Sequence, residues 1–199
     1  DLKSSKKDSQ NIILQWIENN HKYNSKSWET DIIAKRIIAW ISNSKLTYED
    51  GKIDYKRKFN NIIKKQTNHL INVIEKSEWI DDKMIGCAAI ILTGLSYKEK
   101  ENYLDSGLNL LKKIIKFSFD NDGFPKSRNI RQLNFYLKYF VLIREWLKES
   151  QNDIPEYIDE NIYYLGQAYA FIWQNHKKNI LFNGNHETNN IEFDQYLNR

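Results

Sequence analysis

The chain has 199 residues, of which 41% are hydrophobic and 28% charged, and this balance predicts a globular protein with a sizeable core. Its 30 basic and 26 acidic residues are interspersed and leave a formal charge of only +4. No basic block of the kind that follows a nucleic-acid backbone is present. No apolar run approaches the length that crosses a bilayer. Composition and charge therefore predict neither nucleic acid nor a membrane as a partner.

Helical periodicity dominates the chain from its first third onward. Apolar residues recur at three- and four-residue intervals, as on the buried face of an amphipathic helix. The predicted stripes, in chain order, are Ile33, Ile37, Trp40 and Ile41 after a start signal at Ser27; Ile62, Ile63, Gln66, Leu70, Val73 and Ile74; the apolar run 85–95; and Leu104, Leu108, Leu111 and Ile115. Two further helices are predicted, one at 130–147 with apolar residues on most faces and one at 157–176.

No alternating strand pattern competes with these helices, so the predicted fold class is all-α. Long helices with short breaks favour antiparallel helical hairpins, and no strict repeat of solenoid length occurs. We therefore predict an incomplete (α/α) toroid over residues 1–178. After Lys178 a short apolar run and turn residues predict an exit segment, 179–199, that leaves the helical domain.

The single cysteine, Cys87, lies within the apolar run 85–95. One cysteine cannot form a disulfide within the chain, and its surroundings predict a buried, unreactive thiol. His176 and His186 lack the spacing of zinc ligands. Neither a metal nor a cofactor is predicted.

A polar turn separates two of the predicted helices. Asp122, Gly123 and Pro125 are turn-forming residues, and Lys126, Ser127, Arg128 and Asn129 follow where the next helix begins. Two cations, a hydroxyl and an amide are groups that bind anionic or sugar ligands. Lys126, Arg128 and Asn129 are therefore candidate substrate-binding residues.

Three of the four candidate substrate-binding residues also have structural explanations. Asn129 is the expected N-cap of the following helix. Arg128, near that helix start, is explained equally well by an ion pair or by ligand binding. Arg36, the fourth candidate, lies on the helix face between Ile33 and Trp40, where an ion pair that supports the domain competes with a grip on a sugar carboxylate.

Several segments together resemble the heparinase II/III-like family. The matching segments are Arg36–Ile41, the helix with Gln66, Leu70, Ile74 and Glu75, Ala89–Leu95, Asp122–Asn129, and Leu181–Gly184. The resemblance covers roughly residues 28 to 190 and implies a bacterial protein with an N-terminal (α/α) toroid. It also implies a C-terminal β-sandwich domain that this chain lacks. The residues do not distinguish a periplasmic from a cytoplasmic location.

The resemblance implies a polysaccharide lyase, or a degenerate relative, that acts on or binds acidic polysaccharide. Such lyases perform β-elimination on uronic acids, which requires neutralisation of the carboxylate, a base and a proton donor. In active relatives an Asn-His pair and a Tyr supply the first two. Here the corresponding positions hold Asp81-Asp82 and Gln132. Tyr136 is predicted to be an aromatic residue of the core or its rim, and the Asn68-His69 pair to be coincidental.

Two functional hypotheses therefore stay open. The chain is either part of a lyase-like protein that acts on or binds uronic-acid polysaccharide, or a non-catalytic helical module that binds glycan or a partner protein. Whether it is an enzyme is left undecided by the residues, and no catalytic residue is assigned.

Overall fold

The computed structural model describes residues 2–97, 102–120 and 122–173, and this part of the chain is all-α, as predicted. Its helices are α1 (Leu2–Asn20), α2 (Thr30–Ser42), α3 (Ser44–Thr47), α4 (Ile53–Val73), α5 (Ile80–Ser96), α6 (Tyr103–Ser118), α7 (Ile130–Glu149) and α8 (Glu156–Trp173). A single 3-10 turn, Ile74–Lys76, follows α4. The predicted exit segment 179–199 lies outside the described residues.

The chain divides into two compact units, one of residues 1–108 and one of residues 109–199. The boundary between them falls within α6. The first unit contains α1 to α5 and the first turns of α6. The second contains the rest of α6, α7 and α8. The toroid itself stays a prediction.

Helix α5 forms the centre of the first unit. It packs against α2 and α4, and every residue from Met84 to Thr93 is buried. A helix that is apolar nearly all round can bury its side chains only when other helices cover it on several sides. Cys87 belongs to this buried stretch, as predicted.

Helix α2 begins three residues later than the start signal indicated. The segment before it folds into a turn in which the Trp28 amide donates to the Asn24 carbonyl oxygen at 3.1 Å. The Trp28 ring is buried, and its indole N–H donates to the Asn20 carbonyl oxygen at 3.0 Å. Burial of this large ring fixes the connection between α1 and α2, so the helix starts only at Thr30.

The buried face of α6 differs from the predicted stripe. Leu111 is buried as expected, but Leu104, Leu108 and Ile115 are only half-buried, and the buried face runs through Tyr103, Gly107, Leu110, Leu111 and Ile114. A Cβ atom on Gly107 would lie 2.5 Å from Cγ1 of Ile91. The helix therefore rotates to bring its glycine against α5, which periodicity of large apolar residues alone does not reveal.

In the second unit, α7 packs against α8. The predicted apolar side of α7 with Leu133, Leu137 and Phe140 is buried. On the other faces Tyr139 is also buried, whereas Phe135, Leu142 and Trp146 are half-buried. Helix α7 thus buries one broad face rather than its whole circumference.

Candidate functional site

The predicted polar turn is a short hairpin between α6 and α7. Phe119 and Pro125 form an antiparallel bridge, and the Lys126 amide donates to the Ser118 carbonyl oxygen at 2.8 Å. Gly123 has a φ of +73°, a left-handed conformation that glycine adopts without strain. A Cβ atom there would lie 2.4 Å from Cβ of Tyr164, so the turn packs directly on α8.

Asp120 organises this turn, and the sequence analysis did not single it out. Its Oδ1 accepts hydrogen bonds from the amides of Asp122 at 3.0 Å and Phe124 at 2.9 Å. Its Oδ2 lies 2.7 Å from Nη2 of Arg128. An aspartate that bonds the backbone two residues later is a known turn former, so the Asp120 position before Asp122 and Gly123 was the available signal.

Lys126 and Arg128 are held in place by the turn and reach solvent. Nζ of Lys126 donates to the Lys116 carbonyl oxygen at 3.2 Å. The Arg128 guanidinium pairs with Asp120 and lies 5.2 Å from the centre of the Phe124 ring, while 60% of its side chain stays exposed. The ion-pair explanation of Arg128 is therefore realised, and ligand contact stays a prediction.

Asn129 is the N-cap of α7, as predicted. Its side-chain oxygen accepts from the Gln132 amide at 3.3 Å. The Gln132 side chain in turn accepts from the Ser127 hydroxyl at 2.5 Å. One turn thus holds Lys126, Arg128 and Asn129, and its polar side chains cap the N-terminus of α7.

Arg36 lies in the other unit and has no carboxylate partner within the described part of the chain. Nη2 donates to the Ser27 carbonyl oxygen at 2.8 Å, and the guanidinium carbon lies 3.9 Å from the centre of the Trp16 ring. Burial lowers the pKa of Arg36 to about 10. The expected ion pair is absent, and stacking on an aromatic ring takes its place.

The positions that the resemblance pairs with the catalytic Asn-His and Tyr of the lyases hold Asp81, Asp82 and Gln132. Asp81 and Asp82 lie in the first turn of α5, where burial, Asp31 and Asp81 raise the pKa of Asp82, against a hydrogen bond from Ser77 and the charge of Lys35, which lower it. Tyr136 is 1% exposed and belongs to the core, as predicted. A base must reach the proton that it removes, and Tyr136 does not reach the surface.

The Asn68-His69 pair has structural contacts. Asn68 Oδ1 accepts from the Tyr103 hydroxyl at 2.9 Å. The His69 ring lies 5.5 Å from the Tyr23 ring and 5.4 Å from the Trp28 ring, and burial lowers its pKa. Both side chains thus hold neighbouring segments of the first unit together.

Neither a reactive thiol nor a metal site is supported by the described residues. Burial raises the pKa of the Cys87 thiol, which donates to the Gly107 carbonyl oxygen at 3.1 Å, and a thiol held in its protonated form is a poor nucleophile. No three His, Cys, Asp or Glu side chains converge as metal ligands in the part of the chain that the structure describes.

Comparison with protein-family models, with characterised proteins and with solved structures finds no match to this chain. None of the described helices has both the length and the apolar character that a bilayer crossing requires.

Proposed function

We propose that the chain binds acidic, uronate-containing polysaccharide at the turn between α6 and α7, as a degenerate relative of the heparinase II/III-like lyases that does not perform β-elimination. The proposed binding surface, here called the turn surface, consists of Lys126, Arg128 and Tyr164. The observation that carries the proposal is the packing of Gly123 against Tyr164, because the turn that holds both cations thereby contacts a tyrosine that is partly exposed.

Each member of the turn surface has a chemical role toward such a ligand. Lys126 and Arg128 supply positive charge, and an arginine can contact a carboxylate with two parallel hydrogen bonds. Tyr164 is 46% exposed, and its ring packs edge-on against the neighbouring Tyr163 ring at 5.5 Å. Exposed aromatic rings pack against the apolar faces of sugar rings, because that contact removes apolar surface from water.

The lack of elimination follows from the residues at the family's catalytic positions. Two carboxylates at Asp81 and Asp82 repel a uronate, and Gln132, at the position of the tyrosine base, cannot remove a proton. Tyr136, which lies nearby in the sequence, is buried. Incubation with heparan sulfate and with alginate should therefore yield no unsaturated uronate product, measured by its ultraviolet absorbance. Accumulation of that product would contradict the non-catalytic part of the proposal.

Binding is tested by isothermal titration with alginate and heparan sulfate oligosaccharides. The double variant Lys126→Ala/Arg128→Ala should weaken binding by at least about tenfold, because two cations are lost from the site. A matched control is Arg57→Ala/Lys58→Ala, which removes two exposed cations from α4 in the first unit. Equal losses in both double variants would mean that only net charge matters, and would overturn the assignment of the turn surface.

The aromatic part of the surface has its own control. Tyr164→Ala should weaken binding, whereas Phe171→Ala, which removes a ring that is 78% exposed on the same helix, should leave it unchanged. Unchanged affinity in Tyr164→Ala would remove Tyr164 from the site.

A further inference from the structure

A cleft with a volume of about 290 Å³ opens on the first unit, and none of the four candidate substrate-binding residues lines it. Residues of α2, α4 and α5, together with residues of the α3 segment, line it. Its volume is at the lower end of the range for small-molecule sites, so it suits one small ligand rather than a chain.

One wall of the cleft is aromatic, and further side chains pack against it. Trp40 and Phe59 line it, with ring centres 5.7 Å apart. Trp16 packs edge-on against Trp40 at 5.4 Å, and Arg36 stacks on Trp16 at 3.9 Å. Because each ring is fixed by the next, the wall is formed before a ligand arrives, which lowers the entropy lost on binding.

A hydrogen-bonded chain of three side chains also lines the cleft. The Tyr97 hydroxyl donates to Oδ1 of Asn60 at 2.9 Å, and Nδ2 of Asn60 donates to the Tyr48 hydroxyl at 3.0 Å. All three residues are half-buried. An amide oxygen has two lone pairs and an amide nitrogen two protons. After its bonds to Tyr97 and Tyr48, Asn60 therefore keeps one lone pair and one N–H for a ligand.

The charge of the lining selects the class of ligand. None of the side chains that line the cleft is charged, and two of them are the serines Ser44 and Ser96. Two ammonium groups lie over rings of lining tyrosines: Nζ of Lys56 is 5.0 Å from the centre of the Tyr48 ring, and Nζ of Lys64 is 5.9 Å from that of Tyr97. Nζ of Lys56 donates to the Glu49 carbonyl oxygen. A lining that offers donors and acceptors in alternation, with no fixed charge, matches hydroxyl groups, because each hydroxyl both donates and accepts.

We propose that this cleft binds a single neutral sugar ring, with one face of the ring on Trp40 and its hydroxyl groups bonded to Asn60, Tyr48 and Tyr97. Burial raises the pKa of Tyr97, so its hydroxyl stays protonated and keeps its bond to Asn60. This site belongs to the first unit and does not depend on the turn surface of the second, so either proposal can fail alone.

The test is isothermal titration of the full chain with D-glucose, D-galactose and N-acetyl-D-glucosamine, each against sodium D-glucuronate. At least one neutral sugar should bind saturably, and more tightly than glucuronate. Asn60→Leu should weaken that binding by about tenfold or more, and Tyr97→Phe by about three- to tenfold, because each removes hydrogen bonds to the ligand or to its partner.

The matched control is Tyr103→Phe. This change removes a tyrosine–asparagine hydrogen bond of the same length, 2.9 Å to Asn68, outside the cleft, and should leave sugar binding unchanged. Thermal unfolding of every variant identifies any that fails to fold, and Tyr97→Phe, which removes one oxygen atom, serves where Asn60→Leu does not fold.

Three results would overturn the proposal. The first is no saturable binding of any of the three neutral sugars at about 10 mM, a concentration that corresponds to only weak affinity. The second is tighter binding of glucuronate than of every neutral sugar. The third is an equal affinity for the sugar in Tyr97→Phe, Tyr103→Phe and the unchanged chain.

Discussion

The turn between α6 and α7 and the cleft of the first unit use polar side chains in opposite ways. In the turn, Asp120 accepts two backbone hydrogen bonds and pairs with Arg128, and Asn129 caps a helix. In the cleft, Asn60 links two tyrosine hydroxyls and keeps hydrogen-bonding capacity toward solvent. In the turn, Asp120 and Asn129 serve the fold and leave the exposed Lys126 and Arg128 for a ligand. In the cleft, the hydrogen-bonded side chains themselves line a ligand-sized space. A polar segment of the sequence therefore indicates a ligand-binding site only where its side chains are not already fully bonded within the fold.

The largest expected effect is on the turn. Gly123→Ala places a side chain in the left-handed region, at a φ of +73°, and brings a Cβ atom within 2.4 Å of Cβ of Tyr164. Backbone strain and overpacking together should lower the free energy of unfolding by about 3 kcal/mol, measured by urea denaturation.

The control for this glycine is Gly166→Ala. Nothing lies within 4 Å of a Cβ atom at Gly166, which belongs to α8. Alanine should raise stability there by about 0.5–1 kcal/mol, because it is the better helix former. A Gly123→Ala variant as stable as Gly166→Ala would mean that the turn does not pack on α8 as described.

The second largest effect is expected at Asp120, where two substitutions distinguish the contribution of Oδ1 from that of Oδ2. Asp120→Ala removes the Oδ1 atom that accepts two backbone hydrogen bonds and also removes an ion pair, and should cost about 2 kcal/mol of stability. Asp120→Asn keeps the Oδ1 acceptor and should cost less, since the Arg128 side chain in the lost pair is 60% exposed.

Asp122→Ala is the matched control for Asp120. Asp122 is exposed and contributes its backbone amide, not its carboxylate, to the turn. Its replacement should change stability by less than about 0.5 kcal/mol. If Asp122→Ala proved as damaging as Asp120→Ala, the contrast between a turn-building and a solvated carboxylate would fail.

A third polar group, Gln66 in α4, belongs to neither region. It is fully buried, and neither of its amide atoms has a hydrogen-bond partner among the described residues. Gln66→Leu should therefore raise the free energy of unfolding by about 1 kcal/mol, because an unsatisfied buried amide is replaced by an apolar group of similar size.

The neighbouring Thr67 provides the comparison for Gln66. Its hydroxyl donates to the Ile63 carbonyl oxygen at 3.0 Å and lies 3.1 Å from the Thr93 hydroxyl. Thr67→Val should lower stability by about 1 kcal/mol. A loss of stability in Gln66→Leu as large as that in Thr67→Val would show that the Gln66 amide is satisfied in solution.

How far the sequence predicts this fold depends on whether a signal is local. The apolar stripe of α2 and the apolar run of α5 predicted their helices because burial there follows from large side chains in a helical period. Helix α1 was not predicted, since residues 3–11 are all polar and, among its described side chains, only Ile13 and Ile17 are buried. The rotation of α6 escaped prediction because it depends on Gly107, whose contact lies on another helix.

The candidate sites follow the same rule. The capping role of Asn129 was predicted because a cap and its helix are adjacent in sequence. Tyr164 was not, because its contact with Gly123 spans two elements. The cleft draws Trp40, Asn60 and Tyr97 from three helices or their ends, and no spacing rule joins residues so far apart along the chain.

The smallest expected effect is that of removing the Tyr48 hydroxyl, and a second tyrosine hydroxyl of the first unit serves as its control. Tyr48→Phe removes the cleft hydroxyl that accepts from Asn60 at 3.0 Å, and should change stability by less than about 0.5 kcal/mol, because water can replace that partner in a half-buried cleft. Tyr55→Phe removes a buried hydroxyl that donates to the Thr47 carbonyl oxygen at 2.6 Å, and should cost about 1.5 kcal/mol. Urea denaturation of both variants measures the difference. Equal costs would mean that the Tyr48 hydroxyl stabilises the fold as Asp120 and Asn129 do in the turn, and the distinction between the two regions would then disappear.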